Sequence, residues 1–162
     1  MSVDNILSKD SRVVTIIQAR MTSSRLPKKV LADICGKPSL QIMLERISMS
    51  TSIGKVVVAT TINTSDDPIV KLCNKLGYKT FRGDEFDVLG RFMQAAEAES
   101  AEVVVRLTAD CPMIDPDVID EVVTAFSINN HDYLSNTIER TYPDGLDVEV
   151  MSINTLREAH KK

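Results

Sequence analysis

Short β-branched runs alternate along this 162-residue chain with segments that carry a single apolar stripe. Residues 12–18, RVVTIIQ, form an apolar run bounded by polar sequence, the pattern of a strand buried on both faces. From Pro38 onward Leu40, Met43, Leu44 and Ile47 recur at i, i+3, i+4 and i+7, which places them on one face of a helix. The unit then repeats. KVVVAT at 55–60 reads as a strand, and Asp66, with Pro68 following, is the expected cap of a helix bearing Ile69, Leu72, Cys73 and Leu76, stopped by Gly77. YKTFR at 78–82 reads as a third strand, before a helix with Leu89, Phe92, Met93 and Ala96 on one face. EVVVRL at 102–107 is a fourth strand, and Pro116 opens a helix carrying Ile119, Val122, Val123 and Phe126.

This alternation predicts right-handed crossovers and a Rossmann-like α/β fold, an open and mostly parallel sheet with helices on both faces. Such sheets bind ligands beyond the carboxyl ends of their strands, so the loops after residues 18, 60, 82 and 107 are the first candidates for function. DYLSN at 132–136 and GLDVEVM at 145–151 read as further strands, and Ser152 as the cap of a last helix. That helix reaches the final residue, which leaves Ile153, Leu156 and Ala159 expecting later elements to pack against. The organisation expected is therefore a frayed segment over 1–11 and one domain over 12–162 that lacks its C-terminal elements.

Composition narrows the function. With 19 basic and 23 acidic residues the net charge is −4, without the positive field of a dedicated nucleic-acid binder, although a local basic loop still suits a small anion. Cys35, Cys73 and Cys111 are widely spaced and form no CxxC pair, as in a cytoplasmic protein with reduced thiols. No apolar run approaches the roughly 18 residues of a membrane span, so no membrane partner is expected.

The loop after the first strand, Gln18-Ala19-Arg20-Met21-Thr22-Ser23-Ser24-Arg25-Leu26-Pro27-Lys28-Lys29, gathers four cations. Arg20, Arg25, Lys28 and Lys29 are able to surround a triphosphate, while the small residues Thr22 to Ser24 let backbone N–H groups approach it. The alternative is a charged loop in solvent. Neither GxxxxGK[ST] nor GxGxxG occurs, which argues against P-loop and dinucleotide chemistry. Thr108-Ala109-Asp110-Cys111-Pro112 follows the fourth strand, where Asp110 either ligates a metal opposite the basic loop or organises the turn before Pro112.

QARMTSSRLPKKVL followed by GKP resembles the signature loop of the sugar-acid cytidylyltransferases, the group of the CMP-sialic acid and CMP-Kdo synthetases. VVATT at 57–61, FRGDEFDVLGR at 81–91, RLTADCPMIDP at 106–116 and TYPDGLDVEV at 141–150 are similar to the SpsF spore coat polysaccharide branch. The resemblance spans residues 13–160. It implies a fold of the nucleotide-diphospho-sugar transferase type, and an enzyme that joins CMP from CTP to a sugar and releases pyrophosphate. It implies triphosphate contacts from Arg20 and Lys29, supported by Arg25, and Mg²⁺ on Asp110.

The same resemblance implies that the nucleotide lies among Gln18, Ala19, Thr60, Thr61, Arg82 and Thr108, near Asp87 and Arg91, and that the complete protein is a homodimer. For Arg82 and Arg91 the alternative is a surface ion pair with Asp84, Glu85 or Asp87. Asp144, Asp147 and Glu149 are the implied sugar contacts; charged residues protecting an exposed edge strand are the alternative. Lys28 stands where the family usually has glycine. Two other functions stay open: a glycosyltransferase using Asp115-Pro116-Asp117 as a metal triplet, and a nucleotide-binding module without turnover.

Overall fold

The computed structural model describes residues 12–23, 25–129 and 131–161, so the expectation for residues 1–11 lies outside the described residues. β1 (Val13–Gln18) lies inside the sheet, hydrogen-bonded in parallel to β4 (Lys55–Thr61) on one edge and to β6 (Val103–Thr108) on the other. β5 (Lys79–Gly83) continues the parallel sheet beyond β4. On the other side β8 (Glu149–Ser152) runs antiparallel to β6, and β7 (Tyr133–Ser135) antiparallel to β8, giving the order β5-β4-β1-β6-β8-β7. The mostly parallel sheet is thus as expected. A small hairpin of β2 (Asp33–Ile34) and β3 (Lys37–Pro38), turning through Cys35 and Gly36 at positive φ, was not legible in the pattern.

Both faces of the sheet are covered. Residues of alternate parity along β1 serve different cores: Ile17 packs with Leu40, Met43 and Leu44 of α1 (Ser39–Ile47), Ile69 and Cys73 of α2 (Asp67–Leu76), and Ile119 and Val123 of α4 (Pro116–Ile128). Val14 and Ile16 pack with Phe92, Met93 and Ala96 of α3 (Val88–Ala98) on the opposite face. Leu89 departs from its expected place on that helix and is exposed, because the buried stripe is shifted to Arg91, Phe92, Ala95 and Ala96. Gly77 ends α2 at φ 79°, where a Cβ would be strained.

Two expectations need correction. Asp66 precedes α2 but its side chain caps no helical N–H; the carboxylate is fully buried and points towards the sheet. In α5 (Ile153–His160), capped by Ser152, Ile153 and Leu156 already have packing partners and are buried in the core beside α3, while Ala159 is exposed.

Asp120 of α4 binds the turn after α1 across a long stretch of chain. Its carboxylate accepts from Ser50 Oγ, from Thr51 N and Oγ1 (3.0 and 2.8 Å) and from Ser52 N (3.0 Å). Burial pushes this carboxyl up, but the hydrogen bonds from Ser50, Thr51 and Ser52 more than reverse that, leaving it below the ordinary aspartate range. A lowered folded value adds stability above the unfolded pKa of about 3.9 and loses it as pH falls through the folded value. Asp120→Ala is therefore expected to cost about 2 kcal/mol at neutral pH, and Asp120→Asn to flatten the acid side of the stability profile. Denaturant melts between neutral pH and pH 3 check both.

Candidate functional site

The carboxyl ends of the adjacent strands β1 and β6 open onto a cleft of about 240 Å³ lined by Gln18, Arg20, Ser23, Arg25, Lys29, Val30, Thr108 and Asp110. Parallel pairing puts the two chain ends side by side, since Gln18 is the register partner of Thr108. The basic loop leaves β1 and the acidic turn leaves β6, so opposite charges face each other across the opening. Lys29 Nζ donates to Asp110 Oδ2 at 2.6 Å, with both side chains partly exposed. Burial pushes the Asp110 carboxyl up, but the Lys29 ammonium and the Thr108 hydroxyl more than reverse that, so it sits below the usual range and is ionised at neutral pH.

The loop returns on itself. Lys28 N donates to Met21 O at 2.9 Å, and Lys28 adopts the left-handed conformation at φ 63°, one that glycine enters at no steric cost. Lys28 belongs to a neighbouring cleft with Arg20, Thr64, Ser65 and Glu85 and does not line the cleft of Lys29 and Asp110. A short 3₁₀ turn, Lys29–Leu31, follows and buries Val30 beneath the loop.

Not all residues implied by the sequence meet at the cleft. Gln18, Arg20, Arg25, Lys29, Thr108 and Asp110 line it. Ala19 is buried and its N–H donates to Ala59 O, so its contribution is backbone position. Thr60 and Thr61 are buried, and their hydroxyls donate to Asp66 Oδ2 at 3.0 and 2.6 Å, away from the cleft. Arg82 donates to Thr61 O and Asn63 O (both 2.8 Å) and pairs with Asp67 at 2.8 Å, not with Asp84, Glu85 or Asp87. Arg91 is no surface residue either. Its guanidinium is buried and donates to the Asp84 carbonyl, and burial, with the neighbouring Arg20 charge, lowers its pKa.

The acidic residues implied as sugar contacts each have a cation. Asp144 and Asp147 pair with Arg140, the latter at 3.4 Å, and Glu149 pairs with Arg106 and accepts from Tyr133 OH at 3.0 Å. Glu149 starts β8, whereas Asp147 precedes it, so the two do not share a strand. Sequence reading missed Arg140; its fourth-residue spacing to Asp144 was the available signal. It also missed the inward role of Asp66, which no local pattern announces. Asp115, the first residue of the candidate metal triplet, instead caps α4 by accepting from Asp117 N at 2.9 Å and lies 3.9 Å from Arg46.

Among the described residues no three His, Cys, Asp or Glu side chains gather as a metal cage, and no helix is long and apolar enough to cross a membrane. No disulfide forms among Cys35, Cys73 and Cys111, and burial pushes the Cys73 thiol up to about 11.

The chain is 41% identical over 150 residues to an uncharacterised protein of Methanocaldococcus jannaschii, covering 93% of this chain and 60% of the relative. It is 37% identical over 148 residues to the spore coat polysaccharide biosynthesis protein SpsF of Bacillus subtilis, covering 89% and 60%. A 3-deoxy-manno-octulosonate cytidylyltransferase of Solibacter usitatus is 30% identical over 139 residues, covering 85% and 53%. The chain thus spans 60% or less of the length of these relatives. A solved cytidylyltransferase structure from Leptospira borgpetersenii superposes with TM-score 0.89 at 36% identity, over 93% of this chain and 64% of that one. A CMP:2-keto-3-deoxy-manno-octonic acid synthetase complexed with CTP shares the fold, with TM-score 0.75 at 20% identity over 93% and 78%. Residues 14–162 match the family model described as cytidylyltransferase, and with these relatives that match shows that the chain belongs to the cytidylyltransferase family.

Proposed function

We propose that this chain carries the nucleotide-binding site of an enzyme that transfers CMP from CTP to a sugar, an acidic or nonulosonic one, and releases pyrophosphate. The observation that supports it most is the Lys29–Asp110 pair across a cleft flanked by Arg20 and Arg25 at the carboxyl ends of β1 and β6. An incoming triphosphate competes with Asp110 for Lys29, and the cations bind the β and γ phosphates. A sugar hydroxyl oxygen attacks the α-phosphorus, the bond from phosphorus to the bridging oxygen of the β-phosphate breaks, and pyrophosphate leaves as the hydroxyl proton passes to solvent. Arg20, Arg25 and Lys29 hold the leaving charge, so positioning and charge neutralisation carry the catalysis and no protein nucleophile takes part.

Asp110 fits a divalent cation, Mg²⁺ in this reading: it is an ionised carboxylate beside the phosphate cations, and Mg²⁺ accepts one or two carboxylates with phosphate and water oxygens. Bound there, the metal supplies charge neutralisation at the triphosphate. Asp144, Asp147 and Glu149 are assigned to the sugar side, with Arg140 as the cation that orients the first two. The likeness to SpsF supports a product used in surface or spore coat polysaccharide synthesis in the cytoplasm, and we assign a homodimer to the complete protein. Pyrophosphate release from each of the four NTPs, with a panel of nonulosonic and related sugars, tests the reaction; release with a nucleotide other than CTP alone rejects the cytidylyl assignment.

Arg20→Ala or Lys29→Ala is expected to weaken CTP by about ten- to a hundredfold and CMP far less, because each cation is assigned to the β and γ phosphates. Calorimetric titration with both nucleotides checks this, and equal losses would remove the assignment. Asp110→Asn is expected to abolish turnover that depends on a divalent metal while the melting temperature stays near wild type. Wild-type turnover in that variant excludes Asp110 as an essential ligand.

A further inference from the structure

Asp66 is fully buried at the start of α2, yet its side chain neither lines the cleft nor caps a helical N–H. Its two oxygens divide their work. Oδ2 accepts from Thr60 Oγ1 (3.0 Å), Thr61 N (3.1 Å) and Thr61 Oγ1 (2.6 Å) at the end of β4. Oδ1 reaches in the other direction and accepts from Met21 N at 2.8 Å, in the basic loop that leaves β1. Burial pushes this carboxyl up, but the bonds from Thr61, Met21 and Thr60 more than reverse it, so the group is ionised at neutral pH.

Met21 is the point at which that loop closes. Its carbonyl accepts from Lys28 N at 2.9 Å while its N–H is held by Asp66, so both sides of one peptide residue are pinned. Arg20 precedes Met21 directly and Lys29 follows Lys28 directly, which makes the pinned pair the common base of the two cations assigned to the triphosphate. Bringing like charges together is unfavourable without a ligand, so a loop fixed only by its own contacts would splay and lose the cleft. We propose that Asp66 is a positioning residue of the triphosphate site, a buried anionic anchor that holds the Met21–Lys28 closure against the end of β4 and so sets the spacing of Arg20 and Lys29.

A carboxylate is required by the donor set. Each oxygen faces a backbone N–H, from Met21 on one side and Thr61 on the other, and a backbone N–H only donates. In Asp66→Asn one of these must meet the amide NH₂. The orientation that keeps the carbonyl oxygen towards Thr60 and Thr61 preserves three bonds and forfeits only the one to Met21. The isosteric change thus releases the loop selectively.

The inference rests on the assignment of the cleft to CTP, and the experiment separates the two. Calorimetric titrations of CTP, inorganic triphosphate and CMP into the complete protein, with melting curves, are run for wild type, Asp66→Asn, Arg20→Ala and Asp120→Asn. Asp120 clamps Ser50–Ser52 and shares no residue with the cleft, so its variant reports lost stability alone. Asp66→Asn is expected to weaken CTP and inorganic triphosphate by about tenfold, the worth of one charge-assisted hydrogen bond, and to leave CMP nearly unchanged. Asp120→Asn is expected to melt earlier without that split. If Arg20→Ala shows the split and Asp66→Asn does not, or if Asp66→Asn loses CTP and CMP equally, the positioning role is overturned while the site stands. A wild type that binds CTP no better than CMP overturns the cleft assignment and the inference with it. Amide exchange of wild-type Met21 gives a test independent of any variant: slow exchange is expected of its N–H, and exchange at the rate of an open loop contradicts the anchor.

Discussion

The double pairing of β1, with β4 on one side and β6 on the other, fixes where charge gathers in this protein. A strand hydrogen-bonded along both edges and covered on both faces has no freedom except at its end, so the loop after Gln18 starts from a fixed point. Because β6 runs parallel in the neighbouring position, its own end delivers Asp110 opposite that loop. An antiparallel neighbour would have sent its exit to the far side of the sheet. The Lys29–Asp110 contact is thus a consequence of sheet direction as much as of side-chain chemistry.

Several ion pairs tie elements together away from the cleft. Arg82 holds the exit of β4 to the start of α2, Arg106 is tied to Glu149 across β6 and β8, and Arg140 is held between Asp144 and Asp147. Arg91 is held differently. Buried beneath the loop after β5, it donates to main-chain carbonyls, and its Nε and Nη2 have no partner among the described residues.

Membership of the cytidylyltransferase family and the geometry of the cleft are read from different parts of the chain. Family membership rests on residues spread from 14 to 162, while the cleft rests on two loops that meet only in three dimensions. Lys28 takes the left-handed turn that glycine would adopt freely, and its side chain lines the neighbouring cleft. That turn closes the loop on Met21.

The sequence by itself determined the alternation of strands and helices, both cores and the loop that carries the cations. Those features are periodic or contiguous, so near neighbours in the chain define them: the apolar stripe of α4 from Ile119 to Phe126 is one case, and the capping of α5 by Ser152 another. Only the tertiary structure decided which polar side chains face the cleft. Asp66 sits where a helix cap belongs, yet its partner Met21 is 45 residues away, and Lys29 finds Asp110 across 81. Thr60, Thr61 and Arg82 turn to partners other than the cleft for the same reason. A buried polar group must satisfy its hydrogen bonds with whatever the packed sheet brings within 3 Å, and local pattern carries no record of that neighbour.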